Sequence, residues 1–552
     1  MKKIIIIGII TILLLLTTFG QGAEEGSNSK PVQEIPDMDF IEGYGNLSFV
    51  TFETDEACEG YTLINKIGNI DGSAKLIDMN GKKVNSWTGF FPSVVSFPAK
   101  MLSNGDIIVG KTPTLIPWII FLLFGEDAGH AFAYNQYVIQ MDWNGTEKWS
   151  FNNWDEIMFY GINIGMAARQ HHDFQRDGNP VGYYAPGQDF VTNGNTLILA
   201  KKDLINSSIS NTELHDDVIY EVDWNGEFTG FIWYGNEHFE EFGFDESAKA
   251  SISSFPGLDL PTVDWCEDVE LQEFSEGDYL HINSISRLGI NKWYNEDPEL
   301  YSYFHPENII LDSRHGNFIA IIDHLTGNVV WRVGPDYSEN TLEGQNIGQI
   351  IGPHNAHMIP NGLPGEGNIL LFDNGGAAGY GDVAGQPNKF RNYSRIIEFN
   401  PVTLEIVWEY SNAKSEYADE TFRHYWKTVT KGENHHFFSP YVSSAQRLIN
   451  GNTLITEGFA SRVFEVNSNG NLVWEYAPAN YLEKLLTPIF YRAYRVPPEW
   501  VSENIENYDL WENIYQNVNS APYQNTQSTT TEELLENQES HSNSNSSPIN
   551  YR

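Results

Sequence analysis

Six times along the chain a short apolar stretch runs through a turn and ends on a tryptophan: residues 76–87, 138–149, 218–233, 321–331, 396–408 and 463–474. Each copy reads as two strands joined by a turn, because apolar and β-branched residues flank Asn-Gly, Thr-Gly or an Asn-Pro start. A unit recurring at intervals of roughly 60 to 100 residues marks a repeat architecture, and hairpins of this kind build the four-stranded blades of a propeller. Six copies predict six blades. A second recurring element, a turn followed by an apolar strand, lies ahead of the tryptophan units at 103–110, 192–200, 307–313, 361–373 and 449–458. The first unit has 60–65 ahead of it instead, so ring closure is expected to use strands from both ends of the repeat. The predicted fold is therefore all-β: a six-bladed β-propeller with a signal peptide and a disordered C-terminal tail.

The flanks set the domain limits. Residues 1–23 combine Lys2 and Lys3 with a long apolar stretch and a small-residue end at Ala23, which reads as a secretory signal peptide. Residues 24–48 are a polar lead-in, 49–476 the propeller, and 477–519 a wrap rich in Tyr, Trp and Pro. The tail at 520–552 is dominated by Asn, Ser, Gln and Thr, with too little apolar content to bury. No later stretch reaches the ~20 apolar residues of a spanning helix, so no membrane insertion is expected after cleavage. An extracytoplasmic location follows, whether secreted, periplasmic or at the cell surface. Loss of Lys2 and Lys3 takes the formal net charge from −42 to −44. Such a field repels nucleic acid, and any anionic substrate needs a local positive site. Cys58 and Cys266 are the only cysteines and have no zinc-ligand spacing; an exported chain can oxidise them, and their pairing stays open.

Histidine placement carries the functional signal. Histidines stand in short polar segments just ahead of predicted strands, at 169–184, 278–286, 352–362 and 434–452. In a propeller the innermost strands line the channel, so segments leading into them converge on one channel mouth. A ring of imidazoles there, with Arg169, Arg176 and Arg314 close in sequence, suits an anion and a neutral-histidine nucleophile.

The segments 169–187, 278–285, 312–317, 370–376 and 437–455 resemble, in order, motifs of the arylsulfate sulfotransferase family. The resemblance implies an exported six-bladed propeller. It implies transfer of a sulfuryl group from a phenolic sulfate ester to a phenol, by a ping-pong route through a sulfated histidine and without a nucleotide donor or other cofactor. Its partners are then small phenolic sulfates and phenols. Residue by residue, it implies His436 as nucleophile, with His435 as the neighbouring candidate, and His281 and His354 as further catalytic histidines. Arg314, Asn355, His172, His435 and Arg169 are the substrate-binding candidates. The family carries an arginine soon after an Asp-Asn-Gly motif; here Asp373-Asn374-Gly375 is followed by no arginine before Arg391. The charge would then be held by Arg395, Arg314 or Arg169. Three other readings stay open from the residues: a metal-dependent propeller hydrolase, a quinoprotein-like propeller, and a non-enzymatic binding protein.

Overall fold

The structure, a computed structural model, describes residues 49–52, 55–67, 73–88, 93–113, 134–159, 162–178, 182–187, 191–257, 277–380, 389–411, 437–477 and 489–501. The expected signal peptide and polar tail, Cys266, His435 and His436 lie outside the described residues. Within them the chain folds as six antiparallel blades of four strands each, with two further two-stranded ribbons (Trp154–Phe159 with Ile162–Ala168, and Gly376–Ala378 with Lys389–Arg391) and little helix.

Counted from the N-terminus, blade two comprises Ser93–Met101, Ile107–Pro113, Tyr137–Met141 and Glu147–Phe151. Blade three comprises Gln170–Arg176, Thr196–Leu204, Leu214–Val222 and Phe228–Tyr234. Blade four comprises Ile282–Arg287, Ile309–Ser313, Phe318–Ile322 and Val329–Val333. Blade five comprises His354–Met358, Ile369–Asp373, Arg395–Phe399 and Ile406–Ser411. In each the first strand is the innermost.

Ring closure departs from this order at both ends. Phe49–Phe52 pairs outside blade six, which is formed by Ser444–Arg447, Thr453–Glu457, Arg462–Val466 and Leu472–Ala477. Ile489–Val496 pairs with Tyr61–Ile67 and becomes the innermost strand of blade one, ahead of Ser73–Ile77 and Lys83–Thr88. The wrap expected over 477–519 is thus corrected in part, since 489–496 belongs to the propeller itself. The reason is physical. A blade lacking its inner strand would leave the Tyr61–Ile67 edge unpaired and facing the channel, and an unpaired buried edge is costly.

The tryptophan units have a shared local logic. In four of them an aspartate heads the turn, and its Oδ1 accepts from two turn amides: Asp78 from Asn80 and Lys82, Asp142 from Asn144 and Thr146, Asp223 from Asn225 and Glu227, and Asp323 from Leu325 and Thr326. The glycine that follows sits at positive φ, as Gly145 does at 80°, a conformation that only glycine adopts without strain. The tryptophan then reaches into the next blade. Trp87, Trp233, Trp331 and Trp408 donate their indole N–H to carbonyl oxygens of Asp142, Gly327, Pro401 and Ser468, at 2.9–3.0 Å. Trp474 closes the circle by donating to Met79 of blade one at 2.8 Å.

Burial follows the blade radius. Ile282–Arg287 and Ile309–Ser313 are buried at every position, whereas Ile406–Ser411 alternates half-buried and exposed. The core lies between blades. Leu197, Leu199 and Ile219 of blade three, for example, pack with Ile285, Ile309 and Leu311 of blade four.

Candidate active site at one end of the channel

All six inner strands run in the same sense, so the residues at their starts meet at one end of the channel. There the backbone departs from regular strand. His172, His281, Asn355 and Val442 have φ of 52°, 48°, 57° and 55°, a region uncommon for residues other than glycine and one in which strain collects at functional sites. The ladder register shifts at three of these points, between Gln170 and Phe174, between Ile282 and Ser284, and between His354 and His357. Each shift is a bulge that re-aims a side chain and frees backbone amides. Carboxylates of the preceding blade take up those amides: Asp217 Oδ2 accepts from Ile282 N at 3.1 Å, and Asp312 Oδ2 from Ala356 N at 2.7 Å.

The bulges bring together His172 and His281 from blades three and four. Their Nε2 atoms are 3.1 Å apart. His281 Nδ1 hydrogen-bonds Asp278 Oδ2 at 2.6 Å, and Asp278 Oδ1 accepts from Lys201 Nζ at 2.5 Å. The His315 ring stacks on His281 with centroids 4.6 Å apart, and its Nδ1 lies 2.5 Å from the carbonyl oxygen of Asp278. Burial holds the imidazoles of His172, His315 and His354 well below their ordinary pKa, so they are neutral at pH 7. Burial also opposes ionisation of Asp278, but Lys201 and His281 outweigh it and hold that carboxyl well below its ordinary range. Asp278, His315 and Lys201 were not among the site residues inferred from sequence. Asp278 opens the segment 278–286 and His315 ends the Ser-Arg-His motif, so the signal was present as position without an assigned role.

Other expected residues have different surroundings. His354 is buried with both ring nitrogens engaged. Its Nδ1 is 2.7 Å from Asn374 Oδ1, and its Nε2 accepts from Val442 N at 3.1 Å. Asn355 Oδ1 accepts from Ala445 N at 3.3 Å, which ties blade five to blade six. Arg169 is ion-paired with Asp203, and its guanidinium lies over the Tyr134 ring. Arg395 and Arg391 both pair with Asp373, at 2.6 and 2.5 Å.

Arg314 differs from these. It is buried, and its guanidinium makes no ion pair and no hydrogen bond among the described residues. It lies over the Tyr441 ring, 5.1 Å from the centroid, and its backbone N donates to His281 O at 3.0 Å. Burial pulls its pKa down, and the same burial makes an uncompensated cation expensive. A bound anion offsets that cost.

A family model described as arylsulfotransferase (ASST) matches residues 187–484 of this chain. The chain belongs to the arylsulfotransferase family. The matched region takes in blades three to six from Thr196 onward, and with them Lys201, Asp278, His281, Arg314, His315 and His354. It carries the general activity of that family, sulfuryl transfer on aromatic small molecules. No curated protein sequence matches the chain. Among solved structures it is similar to a protein of unknown function from Bacteroides caccae, at 10% identity over 80% of this chain and 99% of the other, with a TM-score of 0.38. It is also similar to AztD from Citrobacter koseri, at 9% identity over 79% of this chain and 97% of the other, with a TM-score of 0.29.

The cluster bears on metal binding as well. Asp278, His281 and His315 each place one ligand-capable atom within 4.8 Å of the others. These atoms already bond to one another or to Lys201, and the uncompensated Arg314 adjoins them. Lys201 is already paired with Asp278 and Asp217, so Arg314, which makes no ion pair among the described residues, is the cation that favours an anion here. Among the described residues no helix is long and apolar enough to cross a membrane.

Proposed function

We propose that this arylsulfotransferase moves a sulfuryl group from a phenolic sulfate ester to a phenol in two half-reactions, through a sulfated histidine and with no nucleotide donor. The observation that carries this reading is the buried Arg314 guanidinium without an acidic partner, beside neutral imidazoles. A sulfate ester is an anion that needs such a cation in an acidic protein. A transferring sulfuryl group spreads negative charge over three oxygens, which a fixed guanidinium stabilises.

In the first half-reaction an imidazole nitrogen attacks sulfur. The N–S bond forms as the S–O bond to the aryl group breaks, and the departing phenolate takes a proton from a neighbouring imidazolium, which is left neutral. In the second, the acceptor phenol gives its proton back to that imidazole, its oxygen attacks sulfur, and the N–S bond breaks. We assign the nucleophile to His436 from the family motif, with His435 beside it as the other candidate; both precede the described segment that begins at Phe437. That segment is anchored beside the cluster. Phe438 N donates to Glu457 at 3.0 Å, Asn374 donates to the carbonyl oxygens of Ser439 and Val442, and Tyr441 covers Arg314. Within this proposal His281, with His172, serves as acid and base. Arg314 binds the sulfuryl oxygens, and His354 and Asn355 hold the segment around Val442. Arg169 supports the site through Asp203. The protein then acts outside the cytoplasm, consistent with the leader at 1–23.

The test is a transfer assay with 4-nitrophenyl sulfate, with and without an added phenol, on the wild type and on His436→Ala. Phenol-dependent nitrophenol release that disappears in the variant supports the reading. Release in water alone that a chelator abolishes refutes it in favour of a metal hydrolase.

A further inference from the structure

We propose that Asp278 is a positioning residue that sets where the protons sit on three imidazoles of the site, with Lys201 holding it in place. Asp278 is buried, and it is bonded three times in this cluster: by Lys201 Nζ on Oδ1 at 2.5 Å, by His281 Nδ1 on Oδ2 at 2.6 Å, and by His315 Nδ1 on its backbone oxygen at 2.5 Å. A carboxylate and a carbonyl oxygen accept hydrogen bonds and donate none. The proton in both imidazole contacts therefore sits on the ring, and His281 and His315 carry it on Nδ1. A neutral imidazole has one N–H, so in the neutral form of each ring Nε2 is a bare lone pair.

The assignment propagates. His281 Nε2 lies 3.1 Å from His172 Nε2. Two lone pairs at that distance repel, so His172 carries its proton on Nε2 and donates it to His281. One aspartate thus fixes a Nδ1–H tautomer on two rings and a Nε2–H tautomer on a third. It leaves His281 Nε2 as the basic atom of the pair. When His172 takes up a proton at Nδ1 and passes its Nε2 proton across that contact, His281 becomes an imidazolium whose Nδ1–H already points at a carboxylate and whose Nε2–H has the vacated His172 Nε2 as acceptor. Lys201 keeps the carboxylate charged and oriented, and its second ion contact, Asp217 Oδ1 at 2.9 Å, anchors it in blade three. An acid–base imidazole held by a buried carboxylate keeps the right tautomer and stabilises the cation that forms. The catalytic consequence rests on the sulfuryl-transfer proposal; the tautomers do not.

The tautomers are read directly from the full chain labelled with 15N-histidine, with resonances assigned by replacing each histidine with glutamine in turn. Nδ1–H on His281 and His315 together with Nε2–H on His172 is the expected result. Nε2–H on neutral His281 or His315 overturns the proposal. The kinetic arm uses Asp278→Asn, with folding checked by its thermal midpoint. The amide cannot balance Lys201 or an imidazolium, so kcat should fall about 100-fold or more, with KM little changed and the acidic limb of the pH profile displaced. A folded Asp278→Asn protein with wild-type kcat and an unmoved pH profile overturns the positioning role. A wild type that shows these tautomers but transfers no sulfuryl group refutes the proposed reaction and supports the role given to Asp278.

Discussion

Trp474 donates its indole N–H to the carbonyl oxygen of Met79, 2.8 Å away and 395 residues earlier in the chain. The same contact links four other neighbouring pairs of blades, so a local repeat signature becomes the device that closes the ring. The exception is Trp149. Its Nε1 is buried with no acceptor among the described residues, and the Arg176 guanidinium lies over its ring at 4.9 Å.

That contrast predicts unequal costs for one substitution. Trp474→Phe removes a made hydrogen bond and leaves the Met79 carbonyl unpaired, which should cost about 1–3 kcal/mol. Trp149→Phe removes a donor that is already unsatisfied, so the loss of that N–H should be neutral or favourable. Chemical unfolding of the two variants should rank them in that order. Equal losses would show that the latch contributes packing alone.

Arg314→Met should trade function for stability. Removing an uncompensated buried charge favours the folded state, so the thermal midpoint should hold or rise. Sulfuryl transfer should fall about 100-fold or more, the scale of losing one charge-stabilising donor. Arg395→Met should behave in the opposite way, because it strips Asp373 of one of its two cations and lowers the midpoint. Transfer rates and melting curves on the two variants check both statements.

Asp312 gives a pH signature. Burial pushes its carboxyl up to about 7 from an ordinary 3.8, while its Oδ2 accepts from Ser284 Oγ and Ala356 N. Between those two values the folded chain keeps a proton that the unfolded chain has released, so this group's contribution to stability declines as pH rises from about 4 to about 7. The neutral buried imidazoles of His172, His315 and His354 act in the opposite sense, since the unfolded chain takes up protons below about 6.5. Their contribution cancels in a difference. The midpoint of Asp312→Asn minus that of the wild type should grow more positive as pH rises from 4 to 7. A flat difference would contradict the assignment.

His354 predicts a backbone effect. With Nε2 accepting from Val442 N, His354→Ala should release that amide to solvent and speed its hydrogen exchange, measurable by mass spectrometry on peptides spanning 437–447. Unchanged exchange would show that the left-handed turn at Val442 holds without the imidazole.

Much of this arrangement was legible in the chain, for a definable reason. Apolar alternation, an Asp or Asn heading a turn and a glycine at positive φ are local, so the tryptophan units announced themselves and their count gave the blades. His172, His281 and His354 stood out as candidates because a histidine ahead of an inner strand is a positional statement that the blade repeat makes readable. Asp278 was quoted in its segment without a role, because its bonds to Lys201 and His315 join residues 77 and 37 positions apart. The arginines show the same limit. Arg169, Arg314 and Arg395 are alike as letters, and only their buried neighbours separate them: an ion pair with Asp203 for the first, with Asp373 for the third, and no ion pair among the described residues for Arg314, which Asp278 reaches only at longer range.

The sequence by itself determined the repeat, the number of blades and the family, since these depend on periodicity and on motifs that lie within short stretches. Only the tertiary structure decided that Ile489–Val496 completes blade one, which imidazoles meet, and which guanidinium stays uncompensated. Those outcomes depend on which buried groups face one another across blades, where the low dielectric makes each charge pair or missing partner decisive.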